Sequence, residues 1–537
     1  MISHIDTQKC IGCGTCFKTC ALGVFRMDTE QDNISPCMAV CPAGNNIRKI
    51  NALLQESRFD EALECLVDTM PFPAIAGRVC PHPCESRCSR LERDAAVNIN
   101  GIENFLGERD LAREVKPVPL RHISRVAVVG SGPAGLSAAW YLTLAGYPVT
   151  VFEAREKPGG LLSHGIPEYR LPGSLVDIYI ARLQDMGVEF RCNCPLGNRG
   201  GMTLDNLDDL GFRAVVLAIG AGRGRPLPVP GAENMPHVVQ GIDFLSDARA
   251  GRAAHVAGKT VLVLGGGDVA ADAAVTAARL GAGQVRLVYR RSRERMPALP
   301  HSIASAEAHG VELLTAWGIQ SLKEKAGGLQ ATFAANTAPE AASPQPPVYD
   351  LSQTMDIDAD LIIAALGQDV DPGFSGTEIA LTESGRIQAD PLTLQTSVRT
   401  IFAAGDAVSG SGTVVQAIAS GRRAAHSVCN LLQGAHTHMG HPPRRDIVKM
   451  QHLDKLESIK RIDRSHQETG TSLSIDETLG EALRCLTCGS KSRITYTDDC
   501  MTCFSCEMNC PANAIDVSPF KQFYPRHLGK HFIGDSK

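Results

Sequence analysis

Cysteine is the residue with the most chemical meaning in this 537-residue chain, and its nineteen copies fall into short, regular groups. Cys10, Cys13, Cys16 and Cys20 form one C-x2-C-x2-C-x3-C run, and Cys500, Cys503, Cys506 and Cys510 form another near the opposite end. Thiolates at that interval wrap [4Fe-4S] clusters, and where two runs cooperate the fourth cysteine of each ligates the other cluster. Two arrangements are therefore open. The chain ends could meet, with Cys10, Cys13, Cys16 and Cys510 on one cluster and Cys500, Cys503, Cys506 and Cys20 on the other, or each run could keep its own. Pro511 follows the second run as the paired pattern expects, whereas Ala21 follows the first.

Between the runs lie two dinucleotide fingerprints. Gly130-Ser131-Gly132-Pro133-Ala134-Gly135 follows the apolar stretch Val126 to Val129 and leads into a helical run from Leu136 to Ala145. The first glycine permits a tight turn, the second admits a pyrophosphate, and the third lets helix and strand pack closely. The next strand, Val149 to Phe152, ends in Glu153, eighteen residues past Gly135, where a carboxylate can accept from an adenosine ribose. The second fingerprint, Gly265-Gly266-Gly267-Asp268-Val269-Ala270, follows Val261 to Leu264; the strand after it, Val285 to Tyr289, ends in Arg290 and Arg291, with Arg293 and Arg295 beyond. Guanidinium forks bind the 2'-phosphate that a carboxylate repels, which predicts NADPH rather than NADH. Nicotinamide moves two electrons as hydride and clusters move one at a time, so a flavin, which does both, is expected between them.

The rest of the chain must position these groups. A 44% hydrophobic content and this length predict three or four packed domains rather than disorder. A net charge of -5 without a basic run gives no footing for nucleic acid. The sequence shows neither a charged leader with an apolar stretch nor eighteen uninterrupted apolar residues, which predicts a cytoplasmic protein without membrane insertion. Cysteines at ligand spacings in a chain this long argue against a disulfide framework. Helical-looking stretches such as Ile47 to Leu66 would carry ligands, the Ala/Pro/Gln-rich stretch 336–347 reads as an exposed loop, and 432–445 reads as a linker with solvent-facing histidines.

Val126 to Pro172, with Pro158-Gly159-Gly160-Leu161-Leu162 and Gly165-Ile166-Pro167-Glu168-Tyr169, the run Tyr289 to Pro297, and Ile401 to Ala407 together resemble the glutamate synthase small-subunit family. A similar flavin and iron-sulfur module stands in dihydropyrimidine dehydrogenase, and the resemblance spans roughly residues 35–430. It implies an α/β fold with Rossmann-like FAD- and NADPH-binding domains and helical iron-sulfur and ferredoxin-like terminal regions. FAD belongs to the first fingerprint and NADPH to the second. Leu161, Leu162 and Gly165 would lie near the isoalloxazine, Gly160 and Thr413 would help bind the cofactor, and Gly405 and Asp406 would lie beside the flavin phosphates, ahead of a helix starting near Val414. Asp406 reads as a loop residue, and carboxylate capping of that helix is an equally physical use for it. The implied domains are 1–30 ferredoxin-like, 31–122 helical iron-sulfur, 123–225 and 365–435 FAD-binding, 226–364 inserted NADPH-binding, 436–480 linker and helix, and 481–537 ferredoxin-like.

In that family an early Arg-Cys-Leu-x-Cys segment supplies two cluster ligands. Here it stands late, as Arg484-Cys485-Leu486-Thr487-Cys488, so the resemblance implies that Cys485 and Cys488 fold back to join Cys37 and Cys88. Cys41, Cys80 and Cys84 would hold a further cluster, with Glu103 at the family's non-cysteine position, a ligand role weighed evenly against a surface helix glutamate. That makes four [4Fe-4S] clusters with one FAD. Cys65 and Cys429 read as buried thiols, and Cys192 and Cys194 carry no ligand signal. The expected protein is an NADPH-linked electron-transfer subunit of a hetero-oligomer, exchanging electrons with ferredoxin or a larger catalytic oxidoreductase subunit. A glutamate synthase small subunit, an electron-bifurcating subunit and a cluster-bearing assembly scaffold are the rivals.

Overall fold

The computed structural model describes residues 2–517, apart from 11, 23, 32, 198–201, 326, 339, 341–346, 372, 374–378, 436–446, 449–462, 466–471 and 495–499. Most of the expected 432–445 linker therefore lies outside the described residues. The chain divides into two compact units, one of residues 1–77, 82–112 and 442–537, the other of residues 78–81 and 113–441.

The larger unit holds two five-stranded parallel sheets of Rossmann-like build. In the first, the strands run in the spatial order Ile401–Ala403, Phe212–Leu217, Arg125–Val129, Val149–Phe152, Glu189–Arg191. The chain leaves this sheet after Leu217 and returns 184 residues later, when Ile401 pairs with Val215. What lies between builds the second sheet, Glu312–Thr315, Gln284–Tyr289, Thr260–Leu264, Leu361–Ala364, Val238–Gln240, and an antiparallel sheet of Trp317–Lys325, Gly328–Asn336 and Tyr349–Ala359. The Ala/Pro/Gln-rich stretch connects the last two of these strands, its residues 341–346 lying outside the description. Central strands of both parallel sheets are continuous apolar runs because both faces are covered, in the second sheet by helices on one side and by the antiparallel sheet on the other. Val126, Val128, Leu262, Val263 and Ile363 are fully buried, each burial stabilising the fold by about 1.5–3 kcal/mol.

Helix Pro133–Leu144 opens with proline in its first turn, where the missing N–H costs nothing. It is apolar on nearly every side because most of it is covered, by the sheet and by helix Val414–Leu432, with Leu144 exposed at its end. The two helices approach closely: a Cβ on Gly421 would stand 2.0 Å from the Ala134 carbonyl oxygen, and Ser137 Oγ donates to the Ile418 carbonyl at 2.7 Å.

In the smaller unit the chain ends meet. Ile2–Ile5 pairs antiparallel with Ile515–Val517, and Phe25–Asp28 with Lys491–Ile494, while helix Thr15–Thr19 packs on helix Ser505–Met508. Phe25, Val24, Ala514 and Ile515 form the core between these paired segments. The helical-looking stretch from Ile47 to Leu66 forms two helices, Ile47–Gln55 and Phe59–Val67, separated where Ser57 takes φ 59°. Helix Ile475–Arg484 lies against Ile47–Gln55 and Ile99–Leu111.

Candidate functional site

The first fingerprint opens a cavity of about 990 Å3 in the larger unit, at the top of the range for small-molecule sites. Gly130, Gly132, Pro133, Ala134, Glu153, Gly160, Leu161, Leu162, Gly405, Asp406 and Thr413 line it. Gly130 takes φ 96°, and a Cβ there would meet the Ala218 carbonyl oxygen at 2.3 Å. Gly132 has open space where a side chain would be, so a ligand can come to its backbone. Gly135 stands behind the wall, where a Cβ would sit 1.9 Å from the Gly130 carbonyl oxygen, and Gly165 packs against Leu161 and Ile242. Asp406 is not in a loop: it is the first residue of the four-residue helix Asp406–Ser409. Burial raises its carboxyl to about 6, with the Gly412 N–H as the opposing hydrogen bond. Thr413 caps helix Val414–Leu432 through a reciprocal pair with Gln416.

Several residues in this wall escaped the sequence reading. Ser131, a variable position of the fingerprint, donates from its N–H to Glu153 at 3.0 Å, binds the same carboxylate through its hydroxyl, and accepts from the Gly159 N–H at 2.9 Å. It thereby ties the fingerprint turn to the Pro158–Leu162 segment. Cys194, His164, Gln240 and Asp243 also line the cavity. None carries a spacing signal, because each is brought in by the return of a different strand or helix.

The second fingerprint repeats the first in its backbone. Gly265 takes φ 150° with the Ala365 carbonyl oxygen 2.3 Å from its added Cβ, and Gly267 precedes helix Asp268–Arg279 with open space beside it. Gly266 makes room for the Tyr289 ring, whose hydroxyl donates to the Arg295 carbonyl at 2.8 Å and so shapes the basic turn. Asp268 holds the Leu299 N–H and the Ser302 hydroxyl, and Val269 touches Gly241 from the next turn. Arg293 is paired with Glu307, and Arg295 lies 3.6 Å from Glu340. Arg290 and Arg291 have no acidic partner among the described residues.

In the smaller unit the cysteines gather in sets. Cys37, Cys88, Cys485 and Cys488 line one enclosed cavity, and Cys10, Cys13, Cys16 and Cys510 line another. Burial, with smaller contributions from the Cys500 and Cys20 thiols, pushes the Cys506 thiol up to about 11, and Cys503 is exposed. Among the described residues no three His, Cys, Asp or Glu side chains converge on a single ion. A cubane binds each thiolate at its own iron, so its ligands surround a space instead of meeting at a point. The backbone of both runs suits such wrapping: Gly12 and Gly14 take φ 72° and 69°, and Thr502 and Phe504, at the matching positions, take 59° and 61°. The left-handed region costs a non-glycine residue about 1–2 kcal/mol, strain of the kind that gathers at binding sites. Burial pushes the Cys16 and Cys37 thiols up to about 12 and Cys485 to about 11, so thiolates there need a metal to carry their charge.

Cys485 and Cys488 are brought to Cys37 and Cys88 by a buried ionic knot. Arg484, fully buried, binds Glu481 and Asp94 at 3.0 Å each, together with the Ala95 and Ala96 carbonyls; Arg90 pairs with Asp94 and donates to the Arg484 carbonyl. Cys41 and Glu103 are neighbours, Cys84 is buried in helix Pro83–Ser86, and Cys80 falls in the four-residue stretch counted with the larger unit. Glu103 is 6% exposed on helix Ile99–Leu111, which removes the surface-glutamate alternative. Burial raises it to about 7, with Asn45 Nδ2 donating at 2.8 Å. Cys65 and Cys429 are half-buried, and burial pushes both up to about 11.

No helix among the described residues is long and apolar enough to cross a membrane. Residues 124–421 match the profile of the family described as pyridine nucleotide-disulphide oxidoreductase, and residues 31–115 that described as dihydropyrimidine dehydrogenase domain II, 4Fe-4S cluster. The chain is 34% identical over 427 residues to the NADP(+)-dependent formate dehydrogenase subunit beta of Moorella thermoacetica, covering 74% of this chain and 60% of the relative. It is 33% identical over 472 residues to the NADPH-Fe(3+) oxidoreductase subunit beta of Geobacter sulfurreducens, covering 81% of this chain and 70% of that one. With the glutamate synthase [NADPH] small chain of Azospirillum brasilense it shares 34% over 423 residues, covering 74% and 86%. The chain is thus an oxidoreductase of the pyridine nucleotide-disulphide oxidoreductase family, akin to glutamate synthase small chains and carrying in addition a 4Fe-4S domain of the dihydropyrimidine dehydrogenase type.

Proposed function

We propose that this chain is the NADP(H)-linked electron-transfer subunit of a larger cytoplasmic complex, exchanging electrons with ferredoxin or a partner oxidoreductase through one FAD and four [4Fe-4S] clusters. The observation that carries it is the presence, in one chain, of a fingerprint-lined cavity of about 990 Å3 and cavities each walled by four cysteines. FAD, when bound, exchanges the hydride of nicotinamide for single electrons, which the clusters carry one at a time. Gly130 and Gly132 keep side chains out of the pyrophosphate path, and the first turn of helix Pro133–Leu144 offers its free amides to the phosphates. Glu153 would accept from the adenosine ribose, and Asp406 and Gly405, which line the same cavity, would lie beside the flavin phosphates. Gly265 to Val269 hold the second nucleotide, and Arg290 and Arg291 its 2'-phosphate.

The proposed cluster ligands are Cys10, Cys13, Cys16 with Cys510; Cys500, Cys503, Cys506 with Cys20; Cys37, Cys88, Cys485 with Cys488; and Cys41, Cys80, Cys84 with Glu103. The domain boundaries expected from the sequence, including an NADPH-binding domain inserted at 226–364, belong to the same proposal. That three relatives are named as a subunit or a small chain supports a partner chain. A glutamate synthase small chain is the second reading, favoured by the 86% coverage of that relative. Anaerobic quantification tests the assignment: fully loaded protein should hold one FAD and sixteen irons, and NADPH should bleach the flavin. Eight irons in fully loaded protein would leave only the terminal pair, and a glutamine-hydrolysing partner in the native complex would favour the second reading.

A further inference from the structure

Cations line one cysteine cavity, whereas the charged side chains that act on Cys41 and Glu103 are carboxylates. Arg48, Arg90 and the four thiols of Cys37, Cys88, Cys485 and Cys488 line the same space, and Lys18 Nζ donates to the Cys485 carbonyl at 2.6 Å. Beside Cys41 stand instead Glu103 and, near it, Glu85. Arg90 is neutralised by its pair with Asp94 at 2.7 Å. Arg48 is not neutralised in this way. It is 3% exposed, and its guanidinium hydrogen bonds go to neutral oxygens: Asn33 Oδ1 and the Thr29 carbonyl at 2.8 Å, the Gln31 carbonyl at 3.2 Å and the Cys488 carbonyl at 3.4 Å. Its Nε is a buried nitrogen without a partner. A donor left bare in a protein interior costs about 1–3 kcal/mol, so a group that accepts from it recovers that cost.

We propose that Arg48 donates its free Nε–H, with its charge, to the group held by Cys37, Cys88, Cys485 and Cys488, making that cluster more oxidising than the one proposed at Cys41. The inference rests on the ligand set proposed above. Reduction adds a negative charge, which a nearby buried cation and an N–H donor to sulfur both stabilise, whereas the carboxylates beside Cys41 oppose it. Arg48 is a positioning and tuning residue in this scheme. It moves no electron itself.

The test is an anaerobic redox titration of the full-length holoprotein, followed by electron paramagnetic resonance, with iron, acid-sulfide and FAD counted in every sample. Cys37→Ser first identifies the signal of this centre. With iron retained, Arg48→Met should shift that signal to lower potential, so that at the wild-type midpoint the reduced-to-oxidised ratio falls about tenfold, equivalent to about 59 mV for one electron. Arg48→Lys, which keeps a charge and loses the Nε–H, should give a smaller shift in the same direction. A full iron count with an unmoved midpoint overturns the proposal, as does a wild-type midpoint for this centre below that of the centre whose signal Cys41→Ser removes. Should Arg48→Met lose four irons, Arg48→Lys decides, and no shift there defeats the hydrogen bond. If Arg48→Met moves a signal that Cys37→Ser leaves intact, it is the ligand set that falls.

Discussion

Arg290 and Arg291 are the proposed ligands of the 2'-phosphate. Of the four arginines after Tyr289, Arg293 and Arg295 face the acids Glu307 and Glu340, and the first two are left with charge to offer. Replacing both by glutamine should weaken NADPH binding by about 1.5–3 kcal/mol, roughly tenfold to a hundredfold, because hydrogen bonds to charged groups fall in that range. NADH binding should change little, and Arg293→Gln should leave the NADPH-to-NADH ratio alone. Titration calorimetry with both nucleotides measures this, and equal losses for the two would remove the 2'-phosphate assignment. Ser131 teaches the complementary lesson at the first site: an unconstrained position in the motif makes three of the hydrogen bonds that shape the turn.

Among the elements, helix Ile475–Arg484 has the largest task, since Cys485 and Cys488 follow directly from it. Ser474 and Glu477 start it with a reciprocal cap, and Arg484 with Glu481 fastens its end, both side chains fully buried. Removing one member of a buried pair leaves an uncompensated charge and costs about 3–5 kcal/mol. Arg484→Met is therefore expected to lower stability by that amount in denaturant titration and to release the iron held with Cys37 and Cys88. Loss of stability without loss of iron would separate the knot from the site. Helix Val414–Leu432 offers a parallel case. Gly421→Val would force it from the Ala134 carbonyl, and overpacking costs about 1–3 kcal/mol, so FAD retention through gel filtration should fall.

At the scale of the whole molecule, the pairing of Ile2–Ile5 with Ile515–Val517 places Cys510 in the cavity of Cys10, Cys13 and Cys16. Serine variants sort the proposed ligands in the intact chain. Cys10→Ser and Cys510→Ser should alter one paramagnetic signal, and Cys500→Ser and Cys20→Ser another. Cys510→Ser grouping with Cys500→Ser would mean that each run keeps its own cluster.

Local spacing made the terminal runs and both fingerprints legible in the sequence, because the chemistry of each is set by residues a turn or two apart. The same holds for strands Val149–Phe152 and Thr260–Leu264, whose apolar continuity reflects burial on both faces. The backbone of Gly130 and Gly265 could likewise be expected from type alone. Other features are decided by contacts across hundreds of residues: that Ile401–Ala403 returns to Phe212–Leu217, that Glu103 is buried, and that Arg484 meets Asp94. The choice between crossed and separate runs was open in the sequence because spacing within a run is the same in both. Only the antiparallel pairing of the two chain ends, driven by burial of Ile2, Phe25 and Ile515 in one core, brings Cys510 beside Cys13. Arg48 makes the same point for a single side chain, since an arginine in an amphipathic helix reads as solvated surface until Thr29, Asn33 and Cys488 close over it and leave its Nε bare.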